Sequence, residues 1–250
     1  MKTITKILCL ALAVCMVITC AACGSKEDNT LTMGTNATFP PYEFTDDSGK
    51  IVGIDAEIAA AVAEKLGKEL EIKDMEFDSL LTAVQSGSID FALAGMTVND
   101  ERKKSVDFSD TYATGVQVII VAEDSAIKTA DDLEGKKIGV QSGTTGDIYC
   151  TDDFGQDMVK QFANGALAVA ALKNGQVDCV VIDNEPAKNY VKANKGLKIL
   201  DTEYAVEDYA AAISKDNNEL LIDFNKALTE LKDEGKIDEI INKYIPADEK

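Results

Sequence analysis

The chain has 250 residues and a formal net charge of −19, from 25 basic and 44 acidic residues, and it contains no histidine. Such a charge repels phosphate backbones, and no basic cluster interleaved with aromatics offsets it, which argues against a nucleic-acid partner. Without histidine, and with only Cys150 and Cys179 beyond the N-terminal region, there is no nitrogen–sulfur metal cluster and no histidine-based nucleophile dyad.

The chain opens with Lys2 and Lys6, an apolar run from Ile7 to Ala22, and the small residues Ala21-Ala22 before Cys23. Basic, then apolar, then small is the order of a secretory signal, and the run is short of the ~20 residues of a spanning helix. A cysteine directly after two alanines resembles a bacterial lipoprotein cleavage site. That resemblance implies a signal peptide over 1–22, a lipid on Cys23, a polar tether over 23–29 and anchoring to the cell membrane.

"LTMG" reads as a first strand, followed by "GTNATFPPYEF". Pro40-Pro41 stiffens this turn, and Phe39 and Tyr42 can form an apolar wall beside it. "GIDAEIAAAVAEKLG" places Ile54, Ile58, Ala61, Val62 and Leu66 at helical spacing, with Gly67 as the stop and Asp55 expected as the N-cap. "ELEIKDM" is a strand, and "FDSLLTAVQSG" a helix opened by Phe77, a second candidate apolar wall.

Two stretches share a plan. "AVQSGSIDFALAG" (83–95) and "ALKNGQVDCVVID" (171–183) each run from a helix end through a glycine into an apolar strand. Gly87 and Gly175 stand where a left-handed C-cap belongs, and continuously apolar strands suit buried parallel sheets. Between them "GVQVIIVAE" is a strand, and "KKIGVQSGTTGDIY" is strand, glycine-rich turn and helix start. "MVKQFAN" is another strand, "EPAKNYVKANKG" a helix, and "DTEYAVEDYAAAIS" is extended. Two helices, "NNELLIDFNKALTELKDEG" and "KIDEIINKYI", complete the chain. Alternating strands and helices indicate α/β architecture in two lobes, each a mostly parallel sheet flanked by helices. The expected division is 30–111 with 210–250 for lobe 1 and 117–204 for lobe 2. Two hinge strands, 112–116 and 205–209, would join them and create a cleft.

Ligands of open α/β sheets meet the carboxyl ends of strands. Arg102, in "AGMTVNDERKK" after the first matched strand, is the sole arginine in a chain whose other basic residues are all lysine. Asn99 would cap a short helix there, and Arg102 in its first turn makes electrostatic sense if an anion binds. Helix amides, the Thr97 hydroxyl and a forked guanidinium can then share one carboxylate, a geometry lysine cannot supply. The alternative is a surface ion pair to Asp100, Asp107 or Asp110. Asp183, ending the second matched strand in "VIDNEP", suits an ammonium group, or caps the following helix, or both. The turn Gln141–Gly146, "QSGTTG", can bind an anion through its amides, but it lacks the GK[ST] ending of a nucleotide loop. No loop matches the calcium pattern, so no metal and no cofactor are expected. Cys150 and Cys179 either pair as a disulfide or sit as two small buried thiols.

"GTNATFPPYEF…GIDAEI", "IDFALAGMTVNDERKKSVDFSDTY", "KKIGVQSGTTGD" and "VIDNEP" resemble the polar amino-acid family of bacterial extracellular solute-binding proteins, the receptors of ABC importers. Within it the glutamine-binding receptors are nearest in pattern. The resemblance implies a periplasmic-binding-protein-like fold and a non-enzymatic, monomeric receptor that binds a small polar amino acid and meets an ABC permease. It implies that Arg102, Thr97 and the Thr145 amide hold the α-carboxylate, and that Asp183, Gly95 and Thr97 take the ammonium. Phe39 and Phe77 would flank the side chain, with Asn36 and Gln141 near its tip. Glutamine-type and basic-amino-acid receptors carry aspartate at Asn36, and glutamine receptors carry lysine at Gln141 and histidine at Ile182. Loss of the aspartate argues for a neutral polar side chain, because an amide cannot neutralise a buried charge. The competing classes are a cyclohexadienyl dehydratase-like enzyme, with Glu43 as an acid, and an extracellular sensor domain, which the lipid-type cysteine and lack of a transmembrane helix disfavour.

Overall fold

A computed structural model describes residues 29–246; the leader and Cys23 lie outside them. β1 (Thr30–Thr35) leads into a small antiparallel sheet, β2 (Thr38–Phe39), β3 (Glu43–Thr45) and β4 (Ile51–Val52), which wraps the turn around Pro40-Pro41. α1 (Ile54–Lys65) buries Ile54, Ile58, Ala59 and Val62 and carries acids in its first turn and Lys65 in its last, as the helix dipole favours. β5 (Glu69–Asp74) pairs parallel with β1 along its whole length. A 3-10 turn at Phe77–Ser79 opens α2 (Leu80–Gln85), and β6 (Phe91–Ala92) follows. A second 3-10 turn, Arg102–Lys104, precedes β7 (Asp107–Phe108).

β8 (Ala113–Ala122) carries the chain into the second lobe. There β9 (Ile138–Gln141), α3 (Thr145–Phe154), β10 (Val159–Phe162), α4 (Gly165–Lys173), β11 (Cys179–Asp183) and α5 (Asn184–Ala193) alternate as the sequence predicts, and β12 (Leu197–Ile199), a strand the sequence pattern does not signal, follows. β13 (Ala205–Tyr209) returns to the first lobe, completed by β14 (Ala212–Ile213), α6 (Asn218–Asp233) and α7 (Lys236–Tyr244). Among the described residues no helix is long and apolar enough to cross a membrane.

The first sheet runs β5-β1-β6-β14-β7 and the second β10-β9-β11-β8-β12, with β13 paired to β8. Both are mixed. β5, β1 and β6 are parallel, as are β10, β9 and β11, while the crossing strands and their returns add antiparallel neighbours. Gly87 and Gly175 end their helices at φ +70° and +66°, the left-handed conformation glycine adopts without steric cost. The matched strands differ in length, however. β11 pairs over five residues, whereas β6 leaves its ladder after Ala92 and bends to Gly95 at φ +52°. The Gly95 amide goes to Asp55 instead of to a strand neighbour.

Each lobe has its own core. Met33, Ile54, Phe91 and Phe224 centre the first. In the second, Val118, Ile120, Val180 and Ile182 pack on one face of the sheet, and Ile119, Val121, Cys179 and Val181 on the other, the two-residue period of buried strands. Cys150 and Cys179 are free and buried in that second cluster. Burial pushes the Cys150 thiol up to about 12 and raises Cys179 as well. The two crossing strands pair antiparallel, with Glu207 opposite Gly115 and Tyr209 opposite Ala113. A bridge from Thr97 to Tyr209 ties β13 to the first lobe.

Candidate functional site

Both lobes contribute to one cavity at the carboxyl ends of their sheets. Asn36 follows β1, Gly95 and Thr97 follow β6, Gln141 ends β9 and Asp183 ends β11, and all five line it. Phe39, Phe77, Arg102 and Thr145 line it as well.

Arg102 is buried, and its backbone amide donates to the Asn99 side chain at 2.8 Å. Nη1 donates to the Thr97 carbonyl at 2.8 Å, and Nη2 reaches across the cleft to the Gly143 carbonyl at 3.1 Å. The guanidinium also lies over the Phe77 ring, 5.4 Å from its centroid. These bonds occupy two of its five N–H donors. The surface ion-pair alternative fails: Asp107 pairs with Lys215 and Asp100 with Lys103, and Arg102 has no ion pair among the described residues. Burial pulls its pKa down to about 10, so it remains a cation at neutral pH.

Opposite Arg102 stands the N-terminus of α3. Thr144 caps it, accepting from the Asp147 amide, while the Thr145 and Gly146 amides donate to no group among the described residues. Free amides at a helix start, beside an arginine, are donors that an anion could engage. Of the two roles the sequence allows for Asp183, the structure shows the helix cap. It caps α5 through the Glu185 amide at 3.3 Å, and its other oxygen accepts from the Tyr209 hydroxyl. Burial, more than any neighbour, raises its pKa to about 7.

Residues 31–247 match the bacterial extracellular solute-binding proteins, family 3. The chain belongs to that family. The arginine-binding extracellular protein ArtP of Bacillus subtilis (strain 168) is 36% identical over 255 residues, which is 96% of this chain and 97% of ArtP. A solved ancestral arginine-binding protein bound to glutamine superposes with a TM-score of 0.82 at 46% identity, covering 86% of this chain and 97% of its own. Another, bound to arginine, gives 0.81 at 47%, covering 86% and 98%. The relatives are named as binding proteins for amino acids, not as enzymes, and the family is extracellular.

Two expectations need correction in this solute-binding protein. Asp55 does not cap α1; Gly53 holds that position without a side-chain bond. Asp55 turns inward, fully buried, and accepts from the Gly95 amide and the Tyr112 hydroxyl, each at 2.8 Å. Burial raises its pKa to about 6. Tyr42 does not line this cavity. It lies in the first-lobe core, its ring 6.0 Å from Phe39 and edge-on to Tyr209 at 5.3 Å, and so backs the residues that do line the site.

Glu43, Gln117 and Tyr209 also line the cavity, and the sequence pattern does not mark them as binding residues. Glu207 lies just behind it, accepting from Thr97 Oγ1 at 3.2 Å and Gln117 Nε2 at 3.0 Å. The alternation of "VEDY" was the available sign, because one acid and one tyrosine two apart share a face. Glu43 is fully buried beside Asp55, and burial first, then Asp55, holds its pKa well above the carboxylate range.

Proposed function

We propose that this solute-binding protein is an extracytoplasmic receptor, held to the membrane by a lipid on Cys23, that binds a polar amino acid between its lobes and delivers it to an ABC permease. One observation carries the reading. A guanidinium from one lobe and a carboxylate from the other line the same small cavity, each with hydrogen-bonding capacity left over. An amino-acid zwitterion carries the complementary pair of charges. Arg102, the Thr145 amide and Thr97 take its α-carboxylate; Asp183, Gly95 and Thr97 take its ammonium. Phe39 and Phe77 flank the side chain, and Asn36 and Gln141 meet its tip. Closure about hinge segments 112–116 and 205–209 excludes water and strengthens both contacts.

At their end of the cavity Asn36 and Gln141 present side-chain amides, which favours a neutral polar side chain. A cationic side chain is the second reading. Four buried carboxyl groups, Glu43, Asp55, Asp183 and Glu207, surround or back the site against the single guanidinium, and arginine is named for the relatives above. A thermal-shift screen against the twenty amino acids and cystine, followed by calorimetry, decides between them. Stabilisation by glutamine, asparagine or serine supports the first reading, and by arginine or lysine the second. A screen in which no amino acid raises the melting temperature rejects both. Incubation with prephenate is expected to give no phenylpyruvate.

A further inference from the structure

One crossing strand reaches the site twice. Along β13, Val206 and Asp208 are exposed while Glu207 and Tyr209 are buried at 4% and 1%. Glu207 meets Thr97 near the Arg102 end, and the Tyr209 hydroxyl donates to Asp183 at the other. Tyr209 belongs to the first lobe by packing, since its ring sits in that core against Tyr42 and its backbone bridges Thr97. Asp183 ends a strand of the second lobe. Their hydrogen bond therefore runs from one lobe's core to the other lobe's carboxylate.

The chain keeps this path clear. Gly115 lies directly below the bond, and a Cβ there would collide with both the Tyr209 hydroxyl and the Asp183 carboxylate. Gly115 is absent from the positive-φ glycines. Space, not backbone conformation, requires glycine at this position.

We infer that Tyr209 is a positioning residue for ligand binding, holding the Asp183 carboxylate in the orientation and charge state that receive an ammonium group. The inference rests on the amino-acid reading above. The titratable groups that face Asp183 are Glu185 from α5, Glu207 from β13, and Tyr42 and Glu43 from the turn into β3. None supplies positive charge. Its anion depends on two donors, the Glu185 amide and the Tyr209 hydroxyl. Burial and the nearby Asp183 raise the tyrosine's own pKa well above the ordinary value, so it stays a neutral donor.

The test uses the intact mature protein, wild type and Tyr209→Phe, with 13C-carboxyl NMR of the ligand-free form and Asp183 assigned through Asp183→Asn. Loss of a donor to the anion moves the Asp183 midpoint up, by about one pH unit. An unmoved midpoint overturns the inference. Calorimetry with L-glutamine and L-arginine at pH 7 and pH 8.5 is the second arm. For whichever of the two binds the wild type, affinity falls about tenfold or more at pH 7, and the deficit shrinks at pH 8.5 as Asp183 ionises in both proteins. An equal loss at both pH values indicates packing alone and overturns the inference. If the wild type binds neither amino acid, that choice of ligand class fails, while the NMR titration still decides the Tyr209–Asp183 contact. Gly115→Ala retains both groups but forces them apart, and is expected to reproduce the raised midpoint; a wild-type midpoint there also counts against the inference.

Discussion

Gln141 donates its side-chain amide to the Asn36 carbonyl at 2.9 Å, joining the two lobes at the far end of the cavity. Asn36 Oδ1 also accepts from the Thr38 hydroxyl, and Nδ2 donates to the Met75 carbonyl, each at 2.8 Å. An amide suits this position because it must donate on one side and accept on the other.

Asn36→Asp replaces that donor with a carboxylate facing the Met75 carbonyl. The ligand-free protein is expected to lose about 1–3 kcal/mol, the cost of an unsatisfied buried polar group. Preference moves toward lysine and arginine, whose cations neutralise the new charge. A ligand panel with no movement would contradict the placement of Asn36 at the side-chain tip.

Arg102→Lys removes a fork that reaches Thr97 and Gly143 together and stacks on Phe77. An ammonium is a point charge and cannot hold both carbonyls and a carboxylate. Amino-acid affinity should fall about 100-fold or more, while the fold loses no more than ~2 kcal/mol. Calorimetry and a thermal melt separate the two effects, and unchanged affinity rejects the role given to Arg102.

Asp183 is expected to give ligand binding a pH dependence. With its pKa raised to about 7, the carboxylate is present above pH 7 and is progressively protonated below it. Affinity for a zwitterion therefore rises from pH 5.5 to about 7.5 and then flattens. Its effect on folding has the opposite sign. An unfolded aspartate titrates near ~3.9, so the stability this group contributes is full below that value and is lost as pH rises through about 7. Binding isotherms and melts over the same pH series check both slopes.

Glu43 is buried with neither oxygen receiving a protein donor, beside an Asp55 that already accepts two. Two adjacent buried carboxyl groups cannot both ionise readily, so Glu43 carries the proton. Glu43→Gln mimics that neutral state. It should match the wild type within about 1 kcal/mol at pH 5 and exceed it by ~1 kcal/mol or more at pH 8, where the wild type is driven to release the proton. Equal pH dependence in the two proteins would falsify this assignment.

Arg102 and Asp183 were legible in the sequence for different reasons. Arg102 stands out by rarity, as the one guanidinium among lysines, and Asp183 by its place after an apolar strand and before a helix. Tyr42 and Asp55 misled because a residue type beside a turn or at a helix start has a strong local role. Here tertiary packing overrides it: the close approach of Gly53 to the Tyr42 carbonyl fixes that turn, and the Gly95 amide draws Asp55 inward.

Hydrophobic period, glycine stops and cap residues are local, so the amino-acid order alone determined the alternation of strands and helices and the glycine stops before β6 and β11. Charge partnership across the cleft is not local. Glu207 and Tyr209 meet Thr97 and Asp183 across separations of 110 and 26 residues, and Glu43 rests against Asp55 only because β3 folds onto α1. Which buried acid keeps its proton depends on the donors that packing brings to it, and only the folded chain decides that.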